Sequence, residues 1–274
     1  MPFVESVRGV NIYYEGIGDG PPLVFLHGWS MSGRVWRFQA EELASAYRVI
    51  TLDLRGHGLS AVSGEAIAME DFARDVTALF DRLDLTHATL IGWSMGVQVA
   101  LAAYHAVRSR LAALVLVSGT PLFTASADYP HGLPPTEAKG MGVRLKRDYH
   151  KSMGEFFRRM FAADELSREQ ENRIARGIVM EGKLPDPEAA RRSLETLATA
   201  DLRAVLASVD LPVLLIHGGS DTICLPAASR YMAERLPNAR LKILEGLGHA
   251  PFLSRPAEFN AIVKEFLQGV YGRD

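Results

Sequence analysis

One cysteine, Cys224, stands among 274 residues, so no internal disulfide can brace the chain and its stability must come from a packed core. No stretch approaches the roughly 20 consecutive apolar residues that span a bilayer. The N-terminus has neither the basic segment nor the long apolar run of a secretory signal, so the expectation is a cytoplasmic protein that does not enter a membrane. Neither charge sign is in excess: 30 Lys+Arg stand against 32 Asp+Glu, a formal net of −2. That balance argues against general nucleic-acid binding and leaves any charged partner to a local patch. Cysteine pairs and closely spaced histidine–acid ligand sets are missing, and Asp53-Leu54-Arg55-Gly56-His57-Gly58 lacks the spacing of a phosphate loop, so no metal and no cofactor are expected. There is no internal repeat and no low-complexity tract.

What the chain does have is apolar material, 48% against 23% charged, enough for one large globular unit or a core with a smaller insertion. Its organising stretch is Leu90-Ile91-Gly92-Trp93-Ser94-Met95-Gly96. Residues 87–91 read as a strand and 97–107 as an Ala-rich helix, so the G-x-S-x-G between them fits a nucleophile elbow. A serine on so tight a strand-to-helix turn takes strained backbone angles, and Gly92 and Gly96 let the chain double back and expose its hydroxyl. The helix opening at Met95 then sets free N–H groups beside the point where a carbonyl oxygen would become negative.

Taken in order, residues 3–14 alternate as a hairpin about Arg8-Gly9, and Leu23–Leu26 is a buried strand ending at His27-Gly28-Trp29. A helix is expected over about 33–46, a strand over 47–52, and a helix over 69–84 with Phe72, Val76, Leu79, Phe80 and Leu83 on one face. Residues 111–117 form a further strand. Strand–helix alternation then stops, and 121–200 reads as a helical insertion. Alternation resumes with a strand over 212–216, a helix over about 226–236, a last strand over 240–244 and a closing helix over 256–268. The expected organisation is core 1–120, lid 121–200 and core 201–274, on a mainly parallel sheet with helices on both faces. Because ligands in such sheets sit beyond the carboxyl ends of the strands, His27, Ser94, Asp221 and His249 should meet at one edge.

A serine hydroxyl needs a base within hydrogen-bond reach, and the base needs an acid to orient it. His249 follows the last strand in a glycine-bounded loop and is the expected base; His57 lies on the same edge but precedes the serine. Asp221 follows the buried strand and a Gly-Gly turn, whereas Asp201 and Asp210 stand before that strand, at the wrong end. The expected triad is therefore Ser94, His249 and Asp221. Its oxyanion hole would use the backbone N–H of Met95 and that of Trp29. Trp29, Trp93, Phe156 and Phe157 are the expected substrate contacts.

Between Lys139 and Arg159 there are seven basic residues against two acidic ones. Drawn as one helix over 143–161 at about 100° per residue, Arg144, Arg147, Lys151 and Arg158 share a face. Leu145, Tyr149, Met153, Phe156, Phe157 and Met160 take the other, with Gly154 the weak point of the helix. Such a lid would roof the site with its apolar face and offer the cationic one to an acidic partner.

The motifs HGW (27–29), DLRGHGLS (53–60), GWSMG (92–96) and GHAPFLSRPAEF (248–259), with the strand ending in Asp221, resemble the α/β-hydrolase superfamily. Within it the chain is similar to the pimeloyl-acyl carrier protein methyl ester esterases of biotin synthesis, while Val97 departs from the second glycine that many relatives place there. The resemblance implies the same triad and oxyanion hole, a lid whose arginines dock an acidic acyl carrier protein, and an ester substrate carried on it. Competing expectations are a broad short-chain carboxylesterase, a C–C bond hydrolase of ring-fission products and a slow-turnover ligand receptor. Dehalogenases and epoxide hydrolases of this fold are disfavoured because they place Asp where Ser94 stands.

Overall fold

The computed structural model describes residues 2–60, 67–180 and 183–272. Eight strands form one sheet: β1 (Phe3–Glu5), β2 (Asn11–Ile17), β3 (Pro22–Leu26), β4 (Arg48–Leu52), β5 (Ala88–Trp93), β6 (Leu111–Val117), β7 (Val213–Gly218) and β8 (Ala239–Leu244). Their spatial order is β1-β2-β4-β3-β5-β6-β7-β8. The first two strands are the hairpin read from the sequence, with Val4 opposite Ile12, and β2 runs antiparallel to β4; every other pairing is parallel. Strands β5, β6 and β7 are buried at every position because helices cover both faces, which is why they read as unbroken apolar runs. At the edge β8 alternates, and its outward residues are polar.

The helices are α1 (Arg37–Leu43), α2 (Met69–Arg82), α3 (Met95–Val107), α4 (Pro135–Arg147), α5 (Tyr149–Arg159), α6 (Arg168–Ile174), α7 (Pro187–Thr199), α8 (Pro226–Ala233), α9 (Pro251–Ser254) and α10 (Pro256–Tyr271). Two expectations need correction here. The helix foreseen over 33–46 starts as a tight 3₁₀ turn, Gly33–Trp36, because the Gly33 amide is drawn onto Asp53 Oδ1 at 2.7 Å, and it becomes α-helical only at Arg37. The single helix over 143–161 is two. The chain is extended at Asp148, φ −156° and ψ 95°, whose side chain caps α5 by accepting the Lys151 amide at 3.0 Å. Gly154, the foreseen weak point, lies inside an unbroken α5.

Between β6 and β7 the described residues hold helices and isolated bridges, with residues 181–182 of the foreseen 121–200 insertion outside the description. Among the described residues no helix is long and apolar enough to cross a membrane. The sheet has its switch of direction between β3 and β5: after β3 the chain goes to β4 on one side, and after β4 it crosses to β5 on the other. The loops leaving β3 and β5 therefore diverge and open a crevice at their carboxyl ends.

Below the loops, the buried Arg55 donates to Asp75 of α2 through Nε (3.0 Å) and Nη2 (2.5 Å), and Asp75 also accepts the Ser6 hydroxyl. This ties the first hairpin, the β4 loop and α2 together. Removing the acid would leave the guanidinium buried and unpaired. Asp75→Ala should cost about 3–5 kcal/mol, read as a lower midpoint in urea at unchanged slope; a loss below about 1 kcal/mol would mean that the pair does not brace the fold.

Candidate active site

Ser94 sits between β5 and α3 with φ 55° and ψ −115°, a region that non-glycine residues rarely occupy. The neighbouring structure enforces these angles. A Cβ on Gly92 would lie 2.3 Å from the Gly96 carbonyl oxygen, and one on Gly96 would lie 2.4 Å from that of Leu26 in β3. Both positions must be glycine for the turn to close. The Ser94 amide is anchored on the Val117 carbonyl of β6 at 3.0 Å. Val97 packs on Gly119 so closely that a Cβ there would fall 2.3 Å from its methyl group.

Met95 opens α3, so its amide has no partner within the helix. The β3 loop passes close by: a Cβ on Gly28 would lie 3.2 Å from Ser94 Cβ. That brings the backbone of Gly28-Trp29 alongside the serine. The Trp29 indole donates to the Ala190 carbonyl of α7 at 2.8 Å and stands edge-on to Phe156 of α5, ring centroids 5.0 Å apart. Beyond it is a cavity of about 490 Å³, lined by Trp29, Met141, Leu145, Met153 and Phe156, with Glu137, Arg144, Glu155 and Arg159 among its polar members. A larger cavity, about 920 Å³, opens between β2, β4 and α1; Ser94, Asp221 and His249 are in the lining of neither cavity.

Asp221 and His249, 28 residues apart in the chain, meet through a 2.7 Å hydrogen bond from Nδ1 to Oδ2, both side chains wholly buried. The other carboxylate oxygen accepts the amides of Ile223 (2.8 Å) and Cys224 (3.1 Å), so the turn after β7 is built around the acid. Burial alone would raise the Asp221 pKa. The charge of His249 and the donors from His217 and His249 outweigh it and hold the carboxyl below its usual range. With Nδ1 committed, His249 Nε2 is buried without a partner. The thiol of Cys224, pushed up in pKa by burial, faces both the Asp221 carboxylate and the Ser94 hydroxyl.

His57, also on this edge, feels the Asp53 charge but has no carboxylate hydrogen-bonded to it among the described residues. Its Nδ1 lies 2.9 Å from the Arg55 carbonyl oxygen, its ring packs on His27, and burial with the His27 charge lowers its pKa to about 3. Two of the expected substrate contacts are not among the residues lining the 490 Å³ cavity. The Trp93 ring is fully buried beneath His249, its Nε1 donating to the His249 carbonyl at 2.9 Å, so it supports the histidine loop and does not line the cavity. Phe157 is buried edge-on to Phe161 and is not among the lining residues. The four expected docking cations are all exposed, but Arg144 and Arg147 are on α4 while Lys151 and Arg158 are on α5, so one helical face does not carry them.

Residues 159–165 supply contacts that sequence reading misses. The Met160 carbonyl accepts the amides of His249 (2.7 Å) and Ala250 (3.3 Å). The buried Glu165 takes those of Gly248 (2.7 Å) and Ala162 (2.6 Å) on one carboxylate oxygen. Arg159 joins Glu137 of α4 and donates to the Thr222 carbonyl, beside Asp221, at 3.0 Å. One short stretch leaving α5 thus touches the loops of both the acid and the histidine. Nothing in the local pattern around Glu165 marks it, since the sequence Ala163-Asp164-Glu165-Leu166 carries no motif and the residue acquires its role only through folding.

The chain belongs to the family of the alpha/beta hydrolase fold, whose model matches residues 21–256. It is similar to pimeloyl-[acyl-carrier protein] methyl ester esterases: 37% identity to that of Nitrosomonas europaea over 91% of this chain and 96% of the relative, and 30% to that of Nitrosospira multiformis over 94% and 98%. Among solved structures it is similar to an esterase from Exiguobacterium antarcticum, with a TM-score of 0.90 and 28% identity over 97% of this chain and 98% of the other.

Glu165→Ala would strip the acceptor from the half-buried Ala162 amide and from the buried Gly248 amide, the latter worth about 1–3 kcal/mol when left unsatisfied. Hydrogen exchange should then accelerate at Gly248 and His249 with α2 and α3 unchanged. Unaltered protection at Gly248 would remove Glu165 from the support of that loop.

Proposed function

We propose that the protein is a serine carboxylic-ester hydrolase that removes the methyl group from pimeloyl-acyl carrier protein methyl ester. The observation that carries this reading is the Asp221–His249 hydrogen bond, which leaves Nε2 free at the same sheet edge as a serine held in strained geometry. In the reading, Ser94 Oγ attacks the ester carbonyl while His249 Nε2 takes its proton. The amides of Met95 and Trp29 stabilise the oxyanion, a contribution of about 10²–10³ in rate per donor. The tetrahedral species expels the alkoxide, which takes the proton from His249 and leaves as methanol. Water, deprotonated by His249, then attacks the acyl-serine; collapse releases the free carboxylate and returns the proton to Ser94. Asp221 keeps His249 in the Nδ1–H tautomer throughout and stabilises its imidazolium.

Two observations support the substrate: the activity for which the relatives are named, and a cavity whose apolar wall of Trp29, Met141, Leu145, Met153 and Phe156 suits an acyl chain. Helices α4 and α5 would act as the lid, and their exposed Arg144, Arg147, Lys151 and Arg158 would meet an acidic acyl carrier protein in the cytoplasm. Charges at a rim act mainly on association rate and its salt dependence.

Ser94→Ala should reduce kcat by on the order of 10⁴-fold or more on p-nitrophenyl butyrate and on the carrier-linked methyl ester, with the unfolding temperature retained. Turnover near wild type would refute the nucleophile. The triple variant Arg144→Glu, Arg147→Glu, Arg158→Glu should lower kcat/KM for the carrier substrate by about tenfold or more at low salt and spare the small ester. Equal loss on both substrates counts against docking. Efficient small-ester hydrolysis with no carrier preference in the wild type would make the protein a broad short-chain carboxylesterase.

A further inference from the structure

His217 is the penultimate residue of β7 and is wholly buried, yet the reaction proposed above gives it no part. Its Nε2 lies 3.1 Å from Asp221 Oδ2 and 2.8 Å from the Cys224 carbonyl oxygen. A carboxylate and a carbonyl only accept, so Nε2 must carry a proton and share it between them. At the other end of the ring, Nδ1 lies 2.6 Å from Ser229 Oγ on α8, a hydroxyl able to donate into an unprotonated nitrogen. Two imidazoles therefore converge on one oxygen of Asp221, that of His249 at 2.7 Å and that of His217 at 3.1 Å.

We propose that His217 is a positioning residue for the triad: by donating its Nε2–H to Asp221 Oδ2 it fixes the carboxylate and tunes how strongly that carboxylate stabilises the His249 imidazolium. The inference rests on reading Ser94, His249 and Asp221 as the catalytic set. The Asp221 bonds to the Ile223 and Cys224 amides come from its own turn and move with it. His217 is different, because β7 is paired on both sides, to β6 and to β8, where Ile243 is its partner. It is an external reference point for the acid, anchored on a strand that is hydrogen-bonded on both sides. The ionisable groups acting on Asp221 are His249 from the loop after β8, His217 itself, and the thiol of Cys224 from the loop before α8; burial raises the thiol pKa, so it stays neutral. Tyr129 faces Cys224 in turn, and burial raises its pKa as well.

The sign of the effect follows. A donor on Oδ2 withdraws part of the negative charge that would otherwise favour a protonated His249. Without it, the imidazolium is better stabilised, the base is freed only at higher pH, and the acid limb of kcat/KM moves up.

The test compares wild type with His217→Gln, whose amide nitrogen can still donate, and His217→Met, which fills the space and cannot. On p-nitrophenyl butyrate, His217→Met should move the acid limb up by about half a pH unit or more and lower kcat several-fold with KM little changed. His217→Gln should return the limb toward wild type. A residue that only packs would lower the unfolding temperature in both variants and leave the limb in place, and that result overturns the proposal. Should His217→Met not fold, ¹⁵N NMR of the wild-type imidazoles decides the same point: Nε2 protonated supports the proposal, and Nε2 unprotonated overturns it. Ser94→Ala assayed alongside separates the two readings. Turnover in that variant defeats the triad itself, whereas an inactive Ser94→Ala beside an unmoved limb in His217→Met defeats only the role of His217.

Discussion

The backbone approach that shapes the serine turn lies where α3 leaves β5 and passes the end of β3. There is no room for a single carbon between Gly96 and the Leu26 carbonyl, nor between Gly92 and the Gly96 carbonyl. That contact holds Ser94 at angles that an isolated peptide would leave, with the cost met by burial of the surrounding strands. It also brings the loop after β3 against the serine, so the strained side chain and the Gly28-Trp29 backbone come from a single packing event. If the approach were loosened, the turn would relax and the site would lose both at once.

The acid and the histidine are held differently. Each follows a strand on the far half of the sheet, and each loop has its own local logic: amides of Ile223 and Cys224 on Asp221, the Trp93 indole on the His249 carbonyl. Their mutual alignment is supported from the helical segment, where Arg159, Met160 and Glu165 bind the loops that carry them. A segment that forms one side of the cavity is thus also part of the frame of the site. Substitutions along 159–165 are expected to act on the histidine loop even though none of these residues need touch a substrate.

Much of the fold was legible because each signal was local and strong. Three central strands with helices on both faces must be apolar throughout, and they were read as such; the hairpin about Arg8-Gly9 and the amphipathic α2 follow from periodicity in the same way. That Ser94, Asp221 and His249 lie at one edge was legible because parallel strands all present their carboxyl ends there, so that being next after a strand is already a statement about space. Boundaries were harder. A pattern of apolar spacing continues smoothly from α4 into α5, and only the extended Asp148 with its capping bond divides them. Trp93 adjoins the serine in sequence, but alternation along β5 turns its ring under His249 instead of toward the cavity.

The sequence by itself determined the elements and the chemistry available at their ends, because hydrophobic periodicity, glycine spacing and residue type act within a few positions of the chain. Only the tertiary structure decided which of two histidines is hydrogen-bonded to a carboxylate, why His217 reaches Asp221, and that Glu165 supports a loop 83 residues away. The reason is physical. A hydrogen bond between distant segments depends on the register and crossing of whole elements, and those are fixed by the sum of the packing rather than by any stretch that can be read alone.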